Sequence, residues 1–274
     1  MHISPSWIYA DCIEGVGDGV IEDEEHAETA GPESEATFLA GYDAAQYPHP
    51  SVAVDVVVLT AVSGALRVAV YRRREHPSKN RYALPGGFVR MDESLDDAAA
   101  RLLRDKAGLA GVFIEQLYTF GAPGRDPRGR VIAVAYYALV DPRRFEEINV
   151  AKGARAAVIR VPWAGETGGP VQVEDDKGRR LLLAFDHDEI IGMAVKRLRG
   201  KLDYAPLGFQ LLPAEFTLRA LQDMHEAVRG AAVNKDSFRR RLLASGQLEA
   251  TGAYERDTAH RPAELYRCTQ RAPP

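Results

Sequence analysis

The stretch GGFVRMDESLDDAAARLLRDKAGL, Gly86–Leu109, decides how this chain is read. Two adjacent glycines permit close backbone approach where a side chain would block it. Glu93 follows Gly87 by six positions, Arg101 follows Glu93 by eight, and Gly108-Leu109 closes the stretch. Glu93–Ala107 reads as a helix, with Leu95, Ala98, Ala99, Leu102, Leu103 and Lys106 in one stripe and Gly108 placed to end it. Side chains three and four apart share a helix face, so positions 102, 105 and 106 would meet at one site. They are Leu102, Asp105 and Lys106, a set with a single carboxylate.

Working outward, SVAVDVVVLTAV (Ser51–Val62) is a β-branched run that predicts a buried strand, and RVAVYRRR (Arg67–Arg74) a second one after a turn at Ser63-Gly64. Further strands are expected near Phe113–Phe120, Val131–Val140, Ala156–Pro162 and Arg180–Phe185. Strands around one strong helix predict an α/β sandwich over residues 47–186. The remainder, 187–274, changes character. Helices are expected over His187–Leu202, Thr217–Gly230 and Asn234–Gly246, then two short strands, QLEAT and ELYRC, around the polar loop Gly252–Ala263. Three helices and a hairpin follow the plan of a winged helix-turn-helix.

Composition bounds the function. Hydrophobic residues make up 46% and charged residues 27% of 274, ordinary for a globular protein. No apolar run approaches the ~20 residues that span a bilayer, and the N-terminus has no signal-peptide pattern. Two cysteines, Cys12 and Cys268, cannot build a disulfide framework, so a reducing cytoplasm is expected. The net charge of −4 conceals an asymmetry. Residues 1–46 read as an acidic, poorly ordered extension that includes IEDEEHAE (Ile21–Glu28). The first 50 residues hold eleven acidic side chains and no Lys or Arg, which leaves 35 basic against 28 acidic, about +7, on the rest.

Part of that positive charge falls on one expected helix. In VNKDSFRRRLLASG (Val233–Gly246), Phe238, Leu242 and Leu243 gather on one side, while Ser237, Arg240, Arg241 and Ala244 fall on the other. Small residues admit close approach and arginine reads guanine or holds phosphate, so this outer face suits a DNA groove. Lys235 and Arg239 would reach backbone phosphates, and Arg256, His260 and Arg261 would sit at the wing. In the sandwich, the anion-binding candidates are Arg72 and Arg73 on a strand, Gly86 and Gly87, Glu93, Arg101 and Asp105 on or beside the helix, and Arg125 and Arg128 in the loop GRDPRGR. For Arg101, a supporting role within the helix and a ligand contact both stay open.

The spacing from Gly87 through Glu93 and Arg101 to Gly108-Leu109 resembles the Nudix box, G-x5-E-x7-R-E-U-x-E-E-x-G-U, with Leu102, Asp105 and Lys106 in place of its three glutamates. With YPHPSVAVDVVVLT, RYALPGGFV, RDPRGRVIAVAYYALV, FDHDEII, LLPAEFTL, NKDSFRRRL and RPAELYR, the chain resembles the NrtR family of Nudix-related transcriptional regulators over most of Tyr47–Arg267. The resemblance implies an α/β Nudix sandwich followed by a C-terminal winged helix-turn-helix domain. It implies a homodimer on a palindromic double-stranded DNA operator, control of NAD biosynthesis or salvage genes, and an NAD-related nucleotide effector such as ADP-ribose. Hydrolysis in a Nudix fold needs divalent metal, and Glu93 and Asp105 are the weak candidates left to hold Mg2+. A sensor requires no cofactor; the alternative is an active Nudix pyrophosphatase on ADP-ribose or a related nucleotide.

Overall fold

The computed structural model describes residues 34–151, 153–202, 206–256 and 261–269. The acidic run Ile21–Glu28 and His260 lie outside the described residues. The reading of 1–46 as a poorly ordered extension allows a short helical or strand piece around Thr37–Leu39, and a helix stands there. Ser34 caps a short helix, α1 (Glu35–Gly41), by accepting from the Thr37 amide, and the rings of Phe38, Tyr42 and Tyr47 lie 5.7 and 6.1 Å apart in sequence. No residue of α1 is buried.

The sandwich is built around β1 (Ser51–Val62). Ser63 and Gly64 both adopt left-handed conformations (φ 51° and 70°), the turn that matches strand twist, and return the chain as β2 (Ala65–Arg72). The short strands β3 (Tyr82–Ala83) and β4 (Gly86–Phe88) pair with β2 and β1. Then follow β5 (Phe113–Phe120), β6 (Val131–Leu139), β7 (Ala154–Arg160), β8 (Gln172–Glu174) and β9 (Arg180–Leu181). The order is β5-β6-β1-β2-β7-β8-β9, with β1 and β6 parallel and the other neighbours antiparallel. A strand covered on both faces reads as a continuous apolar run, which is why β1 does not alternate. Its Val54, Val56 and Val58 pack with helices α2 (Leu95–Leu102) and α3 (Pro142–Ala151), and its Val57 and Leu59 pack with α4 (His187–Lys201) on the other side.

The helix of the opening stretch departs from expectation. Ser94 caps α2, and at Leu103–Ala107 the chain loosens into a π-helical turn before Gly108 stops it at φ 72°. Leu102, Leu103 and Ala107 stay buried, whereas Asp105 and Lys106 face outward. Lys106 therefore does not belong to the apolar stripe.

The helix His187–Lys201, read as opening the second domain, packs on the sandwich sheet. After it come a 3-10 segment, Pro206–Leu211, and the winged helix: β10 (Phe216–Thr217), α5 (Leu218–Arg229), α6 (Lys235–Ala244), β11 (Leu248–Tyr254) and β12 (Glu264–Cys268), with sheet order β10-β12-β11. Strand β11 runs through a bulge to Tyr254, so the loop begins later than Gly252. One apolar core joins the sheet's second face, α4, Leu221, Met224 and Val228 of α5, and Phe238 and Leu242 of α6.

Candidate functional site

A cleft of about 490 Å³ opens where β4 lies against β1. Asp55 pairs with Gly86 across the strands, and a Cβ on Gly86 would lie 1.9 Å from Asp55 Oδ1, so the glycine is required by contact. Asp55 is buried among cationic and polar neighbours. Arg125 lies 3.9 Å from it and grips Asp186 through two hydrogen bonds of 2.6 and 2.8 Å. His187 Nδ1 accepts the Leu84 amide at 2.9 Å, leaving the ring proton on Nε2, 3.9 Å from Asp55 Oδ1. Burial pushes the His187 pKa down, with Asp55 and Asp186 opposing, so the ring is neutral.

Arginines and aromatic rings form the outer wall. Arg128 is held by Asp126, whose carboxylate keeps the guanidinium pKa up, and its Cζ stands 5.0 Å from the Phe88 ring and 5.8 Å from Phe185. Arg73 lies 5.0 Å from the Phe185 ring centre and donates to Pro77 O. Burial and the neighbouring Arg128 lower its pKa. Six cationic side chains line the cleft against four anionic ones, a balance that favours an anionic ligand.

Of the nine residues expected here, Arg72, Arg73, Gly86, Gly87, Asp105, Arg125 and Arg128 line the cleft. Glu93 and Arg101 do not. They bind each other through hydrogen bonds of 2.5 and 2.7 Å, Arg101 also donates to Phe88 O, and Glu93 accepts the Arg90 amide. Of the two roles left open for Arg101, the geometry is that of support. Arg125, tied to Asp186 and Asp55, joins the loop to the start of α4.

The second surface lies on α6. Asn234 caps the helix by accepting the Ser237 amide, and Glu226 accepts both the Val233 amide and the Gln222 side chain, which fixes the turn between α5 and α6. Phe238 and Leu242 face the core, with His225 edge-on to Phe238 at 4.9 Å. Lys235, Ser237, Arg239, Arg240, Arg241 and Ala244 are all exposed. Leu243 is 52% exposed, a correction to its expected place in the core: 100° of rotation past Leu242 carries it to the rim. Arg241 leans back over Phe238, 5.9 Å from the ring centre. Arg256 and Arg261 are exposed on either side of the wing loop.

Residues 49–163 match the Nudix domain, and residues 208–268 match the NrtR DNA-binding winged helix domain. A protein of Acinetobacter baylyi described as "ADPR responsive transcriptional repressor NtrR" is 33% identical over 236 residues, 85% of this chain and 88% of that one. The chain belongs to the NrtR family. The crystal structure of Shewanella oneidensis NrtR complexed with a 27mer DNA superposes with a TM-score of 0.65 at 33% identity, covering 79% of this chain and 93% of that one. A MutT/nudix family protein from Enterococcus faecalis does so at 0.66 and 28%, covering 88% and 95%.

Within this NrtR-family chain the donor set does not fit a Nudix magnesium. Leu102 is 2% exposed and would lie 3.0 Å from a Cβ on Gly87, so the first box position is filled by hydrocarbon. Lys106 Nζ donates to Gly86 O, placing an ammonium at the third. Asp105 alone keeps an outward carboxylate, and Glu93 is consumed by Arg101. Among the described residues no group of three or more His, Cys, Asp or Glu is arranged to hold a metal ion.

Several residues of the site escaped the sequence reading: Asp55, Phe88, Phe185, Asp186 and His187. One signal was present, since Asp55 is the lone charge inside a twelve-residue apolar strand. Phe185 gave none; its left-handed backbone (φ 53°), rare for a bulky residue, shows only in the fold.

Proposed function

We propose that this chain is a DNA-binding transcriptional repressor whose Nudix cleft senses a nucleotide such as ADP-ribose without hydrolysing it. The observation that carries the reading is the exposed Ser237–Arg240–Ala244 face of α6 within a winged helix of the NrtR type. Its phosphate-binding flanks, Lys235 and Arg239, and the wing residues Arg256 and Arg261 would track the DNA backbone. The A. baylyi relative is named as ADPR-responsive, and the S. oneidensis relative was crystallised with DNA; both attributes are carried here to this chain. The cationic cleft suits a diphosphate, and the Phe88 and Phe185 rings offer flat apolar faces to a base or ribose. A homodimer would set two α6 helices about 34 Å apart on a palindromic operator, with NAD synthesis or salvage genes as targets and the cytoplasm as the place of action.

The test is a fluorescence-anisotropy titration of the full chain on its own upstream DNA, with and without ADP-ribose, beside a magnesium-dependent turnover assay. Specific binding that ADP-ribose weakens, with no turnover, is expected. Sustained hydrolysis with no operator binding would establish the pyrophosphatase instead.

A further inference from the structure

Lys106 occupies the position of the third box glutamate, and its ammonium donates to the carbonyl oxygen of Gly86, which lines the cleft with it. An ammonium carries three N–H donors; the Gly86 bond uses one, and among the described residues Lys106 makes no other hydrogen bond. No carboxylate lies within ion-pair distance of it among the described residues, although Asp55 is near enough to favour its charge. Arg73, Arg125 and Arg128 line the same cleft, so a positive centre is held among other cations, an arrangement an incoming anion relieves.

Charge accounting agrees with the geometry. Three glutamates with one divalent cation carry a net −1 at the box positions. Leu102, Asp105 and Lys106 carry zero with no metal at all. These positions are therefore no more negative than a metal-loaded carboxylate cluster, and reach that from their own side chains with no cation recruited.

We infer that the Lys106 ammonium stands where the metal ion of a Nudix hydrolase would act, so that the diphosphate of the nucleotide binds this cleft directly and without a divalent cation. The inference rests on the sensor reading above and deepens it. An ammonium holds phosphate oxygens through charge-assisted hydrogen bonds, but it does not supply the bound, deprotonated water that metal chemistry provides. Binding is thereby separated from hydrolysis by the same substitution.

Isothermal titration calorimetry of the full chain with ADP-ribose, in excess EDTA and in excess Mg2+, tests this. Equal affinity in the two buffers is expected. Lys106→Met should weaken binding by roughly 10–100-fold in both, the loss of one hydrogen bond to a charged group, with thermal melting as the control for folding. Leu102→Glu with Lys106→Glu should make binding depend on Mg2+. Binding by the wild type only with Mg2+, or wild-type affinity in Lys106→Met, overturns the role of Lys106 and leaves the sensor reading standing. Absence of ADP-ribose binding in every buffer overturns both.

Discussion

Glu93 and Arg101 occupy two of the best-matched box positions, and both turn away from the cleft into a mutual ion pair that ties the glycine loop to α2. The Arg101 guanidinium and the Arg90 amide hold the Glu93 pKa down from 4.5 to about 2. A depressed carboxylate contributes stability above its unfolded pKa and loses it as pH falls through the folded one. The contribution of Glu93 is thus complete above about 4.5 and disappears toward 2. Glu93→Gln should melt lower than wild type at neutral pH, and the gap should close on acidification across that window, as thermal unfolding followed by circular dichroism would record. A gap that stays constant with pH would show that the pair does not stabilise the loop. Of the residues that motif spacing pointed to, Gly86 and Gly87 are those whose need is steric and local. Asp55, Asp186 and His187 were not legible as site residues, because β1, the start of α4 and the Arg125 loop meet only when the sheet forms.

At the scale of elements, α5 and α6 were the most legible. Thr217, Gly230 and Asn234 mark their ends by capping chemistry that needs no tertiary partner. Helix α3 was missed, although Asp141 accepts the amides of Arg143 and Arg144 ahead of Pro142, an available start signal. The two- and three-residue strands β3, β4 and β8 owe their conformation to pairing across the sheet and leave no periodicity to read. On α6 the structure separates two arginines that the helical wheel grouped together. Arg240 projects outward, whereas Arg241 leans toward Phe238. Arg240→Ala should weaken operator binding by roughly 1–3 kcal/mol, the value of a bidentate base contact, and relax preference at one base pair. Arg241→Ala should cost less. Anisotropy titrations on matched and base-substituted operators measure both, and intact affinity in Arg240→Ala would remove α6 from the groove.

In the whole molecule, the cleft and the winged helix share one core, and α4 runs between them. Its first residue, His187, lines the cleft, and its last turn carries Arg199, whose Nε donates to Val228 O at the end of α5 while Nη1 donates to Gly165 O. The guanidinium also stacks 4.8 Å from Trp163, and burial lowers its pKa. Near the middle of α4, Gly192 lies so close to Gly169 that a Cβ would approach the carbonyl oxygen to 1.9 Å, which seats the helix against the loop before β8. A helix held at both ends and wedged in the middle moves as a rigid body, so a shift imposed at His187 would reach α5 through Arg199. Such coupling exists only if the nucleotide prefers one placement of α4 over another, and typical coupling energies of 1–3 kcal/mol would change operator affinity ~5–150-fold. Arg199→Lys keeps the charge but cannot hold both carbonyls and the indole face from one planar group. Its operator affinity without nucleotide and its ADP-ribose affinity should each stay near wild type, while the factor by which ADP-ribose weakens operator binding should fall several-fold toward one. Measuring all four binding constants of the cycle for wild type and variant decides the matter. An unchanged coupling factor would place the path elsewhere, whereas loss of either separate affinity would mean that Arg199 supports the fold rather than the link.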